Sequence, residues 1–146
     1  MTDRVRDILA TVAAAWNRGD ATAAAACFTE DALILEPPDR QRREGRAAIH
    51  AFFREAARVG PMSMTWHSLF GDDEGSVGGG EYTFAWNGMV FHGVAVVEIR
   101  DGLIHRWREY QKRSDLSWER FVEREPVTPS SRRAPSAAPS SGGGAS

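Results

Sequence analysis

Two dipeptides, Asn87-Gly88 and Asp101-Gly102, constrain the fold of this chain more than any other feature. Both central positions of a two-residue type I′ turn need positive φ, and Asn-Gly and Asp-Gly meet that need at low steric cost. The runs on either side, VGGGEYTFAW, MVFHGVAVVEIR and LIHRWREYQKR, are strand-like. An earlier run, MSMTWHSLF, joins them through GDDEGS. Four consecutive strands with short links predict an antiparallel meander.

Helices are expected upstream of that meander. Residues 3–18 place Val5, Ile8, Leu9, Val12 and Trp16 on one helical face, with Thr2 as cap and Gly19 as stop. Asp20 caps a second, alanine-rich helix, and the short NRGD link packs the two together. ALILE at 32–36 reads as a strand ended by Pro37-Pro38, and DRQRREG reads as a polar loop. A third helix over 46–59 buries Ile49, Phe52, Phe53 and Ala56 and ends at Gly60-Pro61. SDLSWERF supplies a last helical turn that lays Trp118 and Phe121 back on the body. Three helices followed by a curled antiparallel sheet make an α+β layout over residues 1–125. Such a sheet leaves a concave side that only partly fills, which suits a small ligand. From Pro126 to Ser146 the chain is mostly Pro, Ser, Ala, Gly and Arg, and a disordered tail is expected there.

Composition then excludes several classes. A net charge of −2 with no basic cluster on a regular element argues against nucleic acid. No apolar run reaches membrane-spanning length and MTDRVRD lacks a signal-like apolar stretch, so a cytoplasmic protein is expected. The only cysteine, Cys27, allows no intrachain disulfide and reads as a small core residue. The histidines show no His-x-x-x-His spacing, so neither a metal nor another cofactor is expected.

The turns also predict which residues share a face. Counting back from Asp101-Gly102, Ile99 opposes Ile104, Val96 opposes Trp107, Val94 opposes Glu109 and His92 opposes Gln111. One face then carries His92, Val94, Val96, Trp107, Glu109 and Gln111, with His105 toward its end. The other carries Ala95, Val97, Ile99 and Ile104 with Arg106, Arg108, Tyr110 and Lys112. The first is the pocket-like face, with one carboxylate and one imidazole on an apolar floor. A single bulge would flip everything beyond it. Taken strictly, the Asn87-Gly88 turn adds Glu81 and Thr83 to the His92 face. With one bulge it adds Tyr82, Phe84 and Trp86, the reading that better lines a pocket.

AAAWNRGDATAAAACFTEDALILEPP, GRAAIHAFFR and VVEIRDGLIHRWREYQ together resemble the nuclear-transport-factor-2-like superfamily, in its SnoaL-like branch of polyketide cyclases, ketosteroid isomerases and limonene epoxide hydrolases. The resemblance covers roughly residues 5–122 and implies a cone-shaped sheet wrapped over three helices. It implies the fold more firmly than the reaction, because this fold hosts many chemistries. Trp107 and Glu109 match a Trp-x-Asp pair that epoxide hydrolases of this fold use to activate water. Glu36 matches the general-base aspartate of ketosteroid isomerases. Two departures stand out. The Arg-x-Asp of the epoxide hydrolases is replaced by Tyr82 and Phe84, and no tyrosine lies near Val12 to rebuild the isomerase oxyanion hole. The resemblance further implies a homodimer through the outer, cation-rich face of the sheet.

These readings converge on a cofactor-independent isomerase, cyclase or hydratase. Its substrate would be a small, mostly apolar molecule with a carbonyl or hydroxyl group. Glu109 and His92 are the candidate catalysts, a carboxyl against Trp107 being poorly solvated and so raised in pKa. Trp107, Tyr82, Glu36, Val94 and Phe84 are candidate substrate contacts. Each has a plainer reading. Glu109 could pair with Arg106 or Arg108, His92 could be a bonded core histidine, Glu36 a solvated loop entrance, and Tyr82 packing. The alternative function is a non-catalytic ligand-binding or dimerising module of the same fold.

Overall fold

The computed structural model describes residues 1–37 and 41–123. The expected 126–146 tail and the Pro38–Arg40 part of the expected loop lie outside the described residues. In chain order the elements are α1 (Asp3–Asn17), α2 (Ala21–Ala26), β1 (Phe28–Glu36), β2 (Gln41–Glu44), α3 (Arg46–Val59), β3 (Met62–Gly71), β4 (Val77–Trp86), β5 (Met89–Arg100), β6 (Leu103–Arg113) and α4 (Trp118–Val122). The six strands form one sheet in the order β2-β1-β6-β5-β4-β3. The α+β expectation holds, with the curved sheet wrapped over the N-terminal helices.

Local chemistry sets the helix ends as expected. The Thr2 hydroxyl accepts from the Val5 amide, and the Asp20 carboxylate accepts from the Ala23 amide. Val5, Leu9, Val12 and Trp16 of α1 are buried against the sheet. Three side chains tie the helices to strands. The Asn17 amide pairs with both backbone groups of Met64, at 3.1 and 2.6 Å. Trp66 donates its indole N–H to the Leu9 carbonyl at 2.9 Å, and Trp86 donates to the Ala56 carbonyl at 3.2 Å. Each tie satisfies a polar group that burial would otherwise strand.

Two expectations about strands need correction. QRRE, taken as loop, is β2, and it pairs antiparallel with β1. β1 itself starts at Phe28 and runs parallel to β6, with Ile34 beside Trp107, so the sheet is antiparallel except at that one pair. Charged residues mask β2 in sequence because it is a short edge strand, where arginine and glutamate discourage further pairing.

The third correction concerns register. Both hairpins have positive φ at both turn residues, as type I′ turns require. The Asn87-Gly88 hairpin is regular, with Trp86 opposite Met89 and Tyr82 opposite Gly93. The bulge lies in the other hairpin. Ile99 opposes Ile104, but Glu98 opposes Arg106, so His105 is an extra residue in β6. Beyond it Val97 faces Trp107, Ala95 faces Glu109 and Gly93 faces Gln111. Ala95, Val97 and Ile99 therefore point at the helices, where they are buried. His92 and Val94, expected on the pocket face, lie on the outer one with Arg106, Arg108 and Tyr110. There Arg108 and Arg106 pair with Glu98, at 2.7 and 3.9 Å.

The outer face is partly covered by α4, as its two aromatics suggested. Trp118 stacks on His67 with ring centroids 4.0 Å apart, and Phe121 packs on His92 at 5.1 Å. His92 is buried beneath them, between the Thr83 hydroxyl at 2.9 Å and the Leu116 carbonyl at 2.8 Å.

Gly80 sits beside a second bulge, at His67 of β3. A Cβ there would run into the Ser68 carbonyl oxygen and crowd Leu69 and Trp66. Gly80→Ala is expected to cost about 2 kcal/mol or more and to lower Tm by at least about 5 °C, read by thermal unfolding followed by circular dichroism. An unchanged Tm would show that β3 yields without cost.

Candidate active site

The concave side of the sheet and helices α1 and α3 enclose a cavity of about 310 Å³. Its walls are mainly aromatic. Trp16 meets Phe53 edge-on at 4.1 Å, and Phe84 packs on Phe91 at 6.3 Å. Phe28, Phe52, Trp86 and Trp107 complete the bowl. Polar groups gather at one end of it: Glu36 and Gln41 at the β1–β2 edge, Tyr82 on β4, and Glu109 and Gln111 on β6.

These groups are linked by hydrogen bonds. Trp107 donates its indole N–H to Glu109 Oε2 at 3.0 Å, a bond between neighbours on one face of β6. The Tyr82 hydroxyl lies 3.0 Å from Gln111 Oε1 and 3.4 Å from Glu109 Oε2. Its single proton serves the shorter contact. Gln111 in turn donates to Glu36 Oε1 at 3.3 Å. Glu36 Oε2 is buried with no partner among the described residues. Both contacts to Glu109 use Oε2, which leaves Oε1 to the cavity.

Tyr82 reaches β6 across an intervening strand, and Gly93 makes that possible. Gly93 lies on β5 between Tyr82 and Gln111, opposite both. A Cβ there would come within 2.7 Å of Gln111 Cβ and 2.6 Å of the Tyr110 carbonyl oxygen. Gln111 and Gly93 were not singled out as site residues from sequence. Gln111 could have been, since it shares strand parity with Trp107 and Glu109. Gly93 could not, because its role depends on a register that the bulge alters.

Electrostatics follow from the apolar walls. Burial pushes the Glu109 carboxyl up to about 7, and the nearby Glu36 charge adds to the rise. The bond from Trp107, and the Tyr82 hydroxyl close to Oε2, oppose it without cancelling it. Burial raises the Tyr82 phenol as well, helped by the charges of Glu109 and Glu36, so it stays protonated and remains a donor.

Of the residues expected at the site, Glu109, Trp107, Tyr82, Glu36 and Phe84 line the cavity. His92 and Val94 do not, for the register reason given above. His105 is absent from the lining too, and its Nδ1 lies 3.3 Å from the Thr29 hydroxyl. The ion-pair reading of Glu109 gives way, because Arg106 and Arg108 are on the other face. Among the described residues no cluster of His, Cys, Asp or Glu is placed to hold a metal, and no helix is long and apolar enough to cross a membrane.

The SnoaL-like domain family matches residues 9–107, more than half of the chain. This chain belongs to the SnoaL-like domain family. The matched span stops at Trp107, just short of Glu109 and Gln111. Solved structures agree on the fold of this SnoaL-like chain. One is a candidate ketosteroid isomerase from Kribbella flavida (24% identity, TM-score 0.68, covering 87% of this chain and 93% of that one). Another is a candidate polyketide cyclase from Xanthomonas campestris (25%, 0.64, 82% and 95%). A third is an epoxide hydrolase of the LEH-like kind from M. tuberculosis (19%, 0.67, 76% and 84%). Among curated proteins none matches the sequence.

A raised carboxyl makes a stability prediction. The folded chain holds the Glu109 proton more tightly than the unfolded chain, whose value stays near 4.5. The stability this confers is complete below that value. It declines as pH rises and is gone above about 7, a loss on the order of 3 kcal/mol. Glu109→Gln removes the effect. Its Tm is expected to exceed that of the parent by several degrees above about pH 7, with the difference shrinking toward about pH 4.5. A constant difference across that range would contradict the raised value.

Proposed function

We propose that this SnoaL-like protein is a cofactor-independent enzyme that moves protons on a small, mostly apolar carbonyl or hydroxyl compound. Isomerisation, cyclisation, and addition or loss of water are the reactions that fit. The observation that carries the reading is Glu109: a carboxyl titrating near 7, at the polar end of an aromatic cavity, with one oxygen free. Near neutral pH such a group takes a proton at one step and returns it at the next.

The surrounding residues support distinct roles. Glu109 Oε1 would remove a proton from a carbon beside a carbonyl, or from an attacking hydroxyl or water. Tyr82 would turn its O–H from Gln111 to the substrate oxygen as negative charge develops there. Trp107 would steady the ionised carboxylate through its N–H, and Phe84 would pack on the apolar body. Glu36, held by Gln111, keeps a second acceptor beside the first. A candidate isomerase, a candidate cyclase and an epoxide hydrolase share this fold, which favours the same range of chemistry.

The test begins with native mass spectrometry of protein taken from its own host, to identify a retained molecule. That molecule, or β-tetralone where none is retained, is then incubated with the protein in heavy water. Deuterium uptake is expected with the parent and at least about 100-fold slower uptake with Glu109→Gln. Binding without any labelling would leave the protein a ligand-binding module. We propose a homodimer as its assembled form, through the part of the outer sheet face around Tyr110 that α4 leaves open; Tyr110 is 50% exposed. Light scattering should give a dimer mass, and a monomer at high concentration would overturn that assembly.

A further inference from the structure

The polar end of the cavity brings two carboxyl groups together beside the Tyr82 hydroxyl and the Gln41 and Gln111 amides. The Trp107 N–H and the Tyr82 O–H are already spent within the network, and Gln111 commits one of its N–H groups to Glu36. Glu36 Oε2 is left buried without a donor, and Glu109 Oε1 without one in the network. Among the described residues no lysine, arginine or histidine lines the cavity. Two carboxylates so placed repel each other and, among the described residues, lack a counter-ion, which is costly in an apolar setting. A proton on Glu109 relieves that cost.

We infer that a hydrophobic cation, a protonated amine on an apolar ring system, is the ligand class this cavity is built to take. Its ammonium group would sit beside Glu109 and donate to Oε1, with the Glu36 charge nearby. Its rings would fill the aromatic bowl, whose π faces attract positive charge. The neighbouring β2 strand shows that attraction at work: the Arg43 guanidinium lies 3.9 Å above the Phe52 ring. Arg43 pairs with neither carboxylate. A neutral hydroxyl would satisfy one oxygen and leave the like charges uncompensated. A ketone could accept from Tyr82, but it too would leave the like charges uncompensated. The inference rests on the reading of this cavity as the ligand site, and it is independent of the reaction run there.

Three compounds on one skeleton separate these cases: β-aminotetralin, β-tetralol and β-tetralone. Binding to the full chain is followed by titration calorimetry at about pH 8 and about pH 5.5, in two buffers of different ionisation enthalpy. The amine is expected to bind at least about tenfold more tightly than the alcohol or the ketone at the higher pH. At the lower pH its advantage shrinks, and its binding there releases a proton to the buffer as Glu109 ionises. Glu36→Gln and Glu109→Gln should each reduce the advantage, while Arg43→Gln should leave it intact. Equal or tighter binding of the alcohol or ketone at the higher pH would overturn the inference, as would an amine preference that survives both carboxylate substitutions. Absence of amine binding would overturn it too. The labelling of β-tetralone reads the reaction separately. Labelling that the amine fails to inhibit would overturn the cationic ligand and leave the proton-transfer reading standing. An amine that binds while nothing is labelled would do the reverse.

Discussion

One extra residue, His105, determines what the cavity contains. A strand alternates its side chains strictly, so the face taken by Ile104 would ordinarily pass to Arg106 and Arg108. The bulge at His105 breaks that sequence. Ile104 stays in the core near the turn, and Trp107 is buried further along. Glu109 and Gln111 follow Trp107 inward, while the arginines go out to Glu98. Without the bulge the bowl would receive two guanidinium groups, and the carboxyl and indole would face away. The parallel partner β1 shows the same irregularity, its pairing with β6 shifting between Phe28 and Leu33. The bend thus belongs to both strands, and it curls the sheet around α1 and α3.

That curl would be of little use without clearance on the strand between. Tyr82 and Gln111 belong to strands separated by β5, and they meet because Gly93 presents no side chain there. Gly80, two positions before Tyr82 on β4, likewise lets β3 approach closely. Glycine in a strand interior weakens it, so these positions lower sheet stability in exchange for reach and curvature. The ties from Asn17, Trp66 and Trp86 oppose that loss by fixing α1 and α3 to β3 and β4. The cavity is therefore held open between two rigid layers rather than collapsing on its own aromatics.

Helix positions, the four strands of the meander and both type I′ turns were legible because each rests on local chemistry: caps, periodicity and positive φ. The face of Glu109 was legible for a related reason. Trp107, Glu109 and Gln111 alternate with Arg106, Arg108 and Tyr110 within one strand, whatever lies opposite. Cross-strand pairing was not legible. It depended on a bulge at His105, where no glycine or proline marks the place, and it carried His92 and Val94 to the wrong side. Tyr82 and Phe84 were placed correctly for the wrong reason, since the irregularity allotted to the Asn87-Gly88 hairpin lies in the next one. β2 was hidden because a short edge strand of polar and charged residues looks like a loop. The Glu36 link to Gln111 was hidden because it joins residues 75 apart in sequence.

The polar end is costly to bury, and that bears on what it is for. A structural network would be expected to satisfy its members, since a half-satisfied one is worse than an apolar core. Here one carboxylate oxygen is buried without a donor and another carboxyl is pushed to a pKa of about 7. Packing alone would favour Leu or Met at both positions, with the aromatic walls closing over them. Two acids in an aromatic bowl are costly to the folded chain, and no ion pair within the described residues offsets them. Such an arrangement fits a cavity that receives something, whether a proton passed on or a ligand that supplies donors.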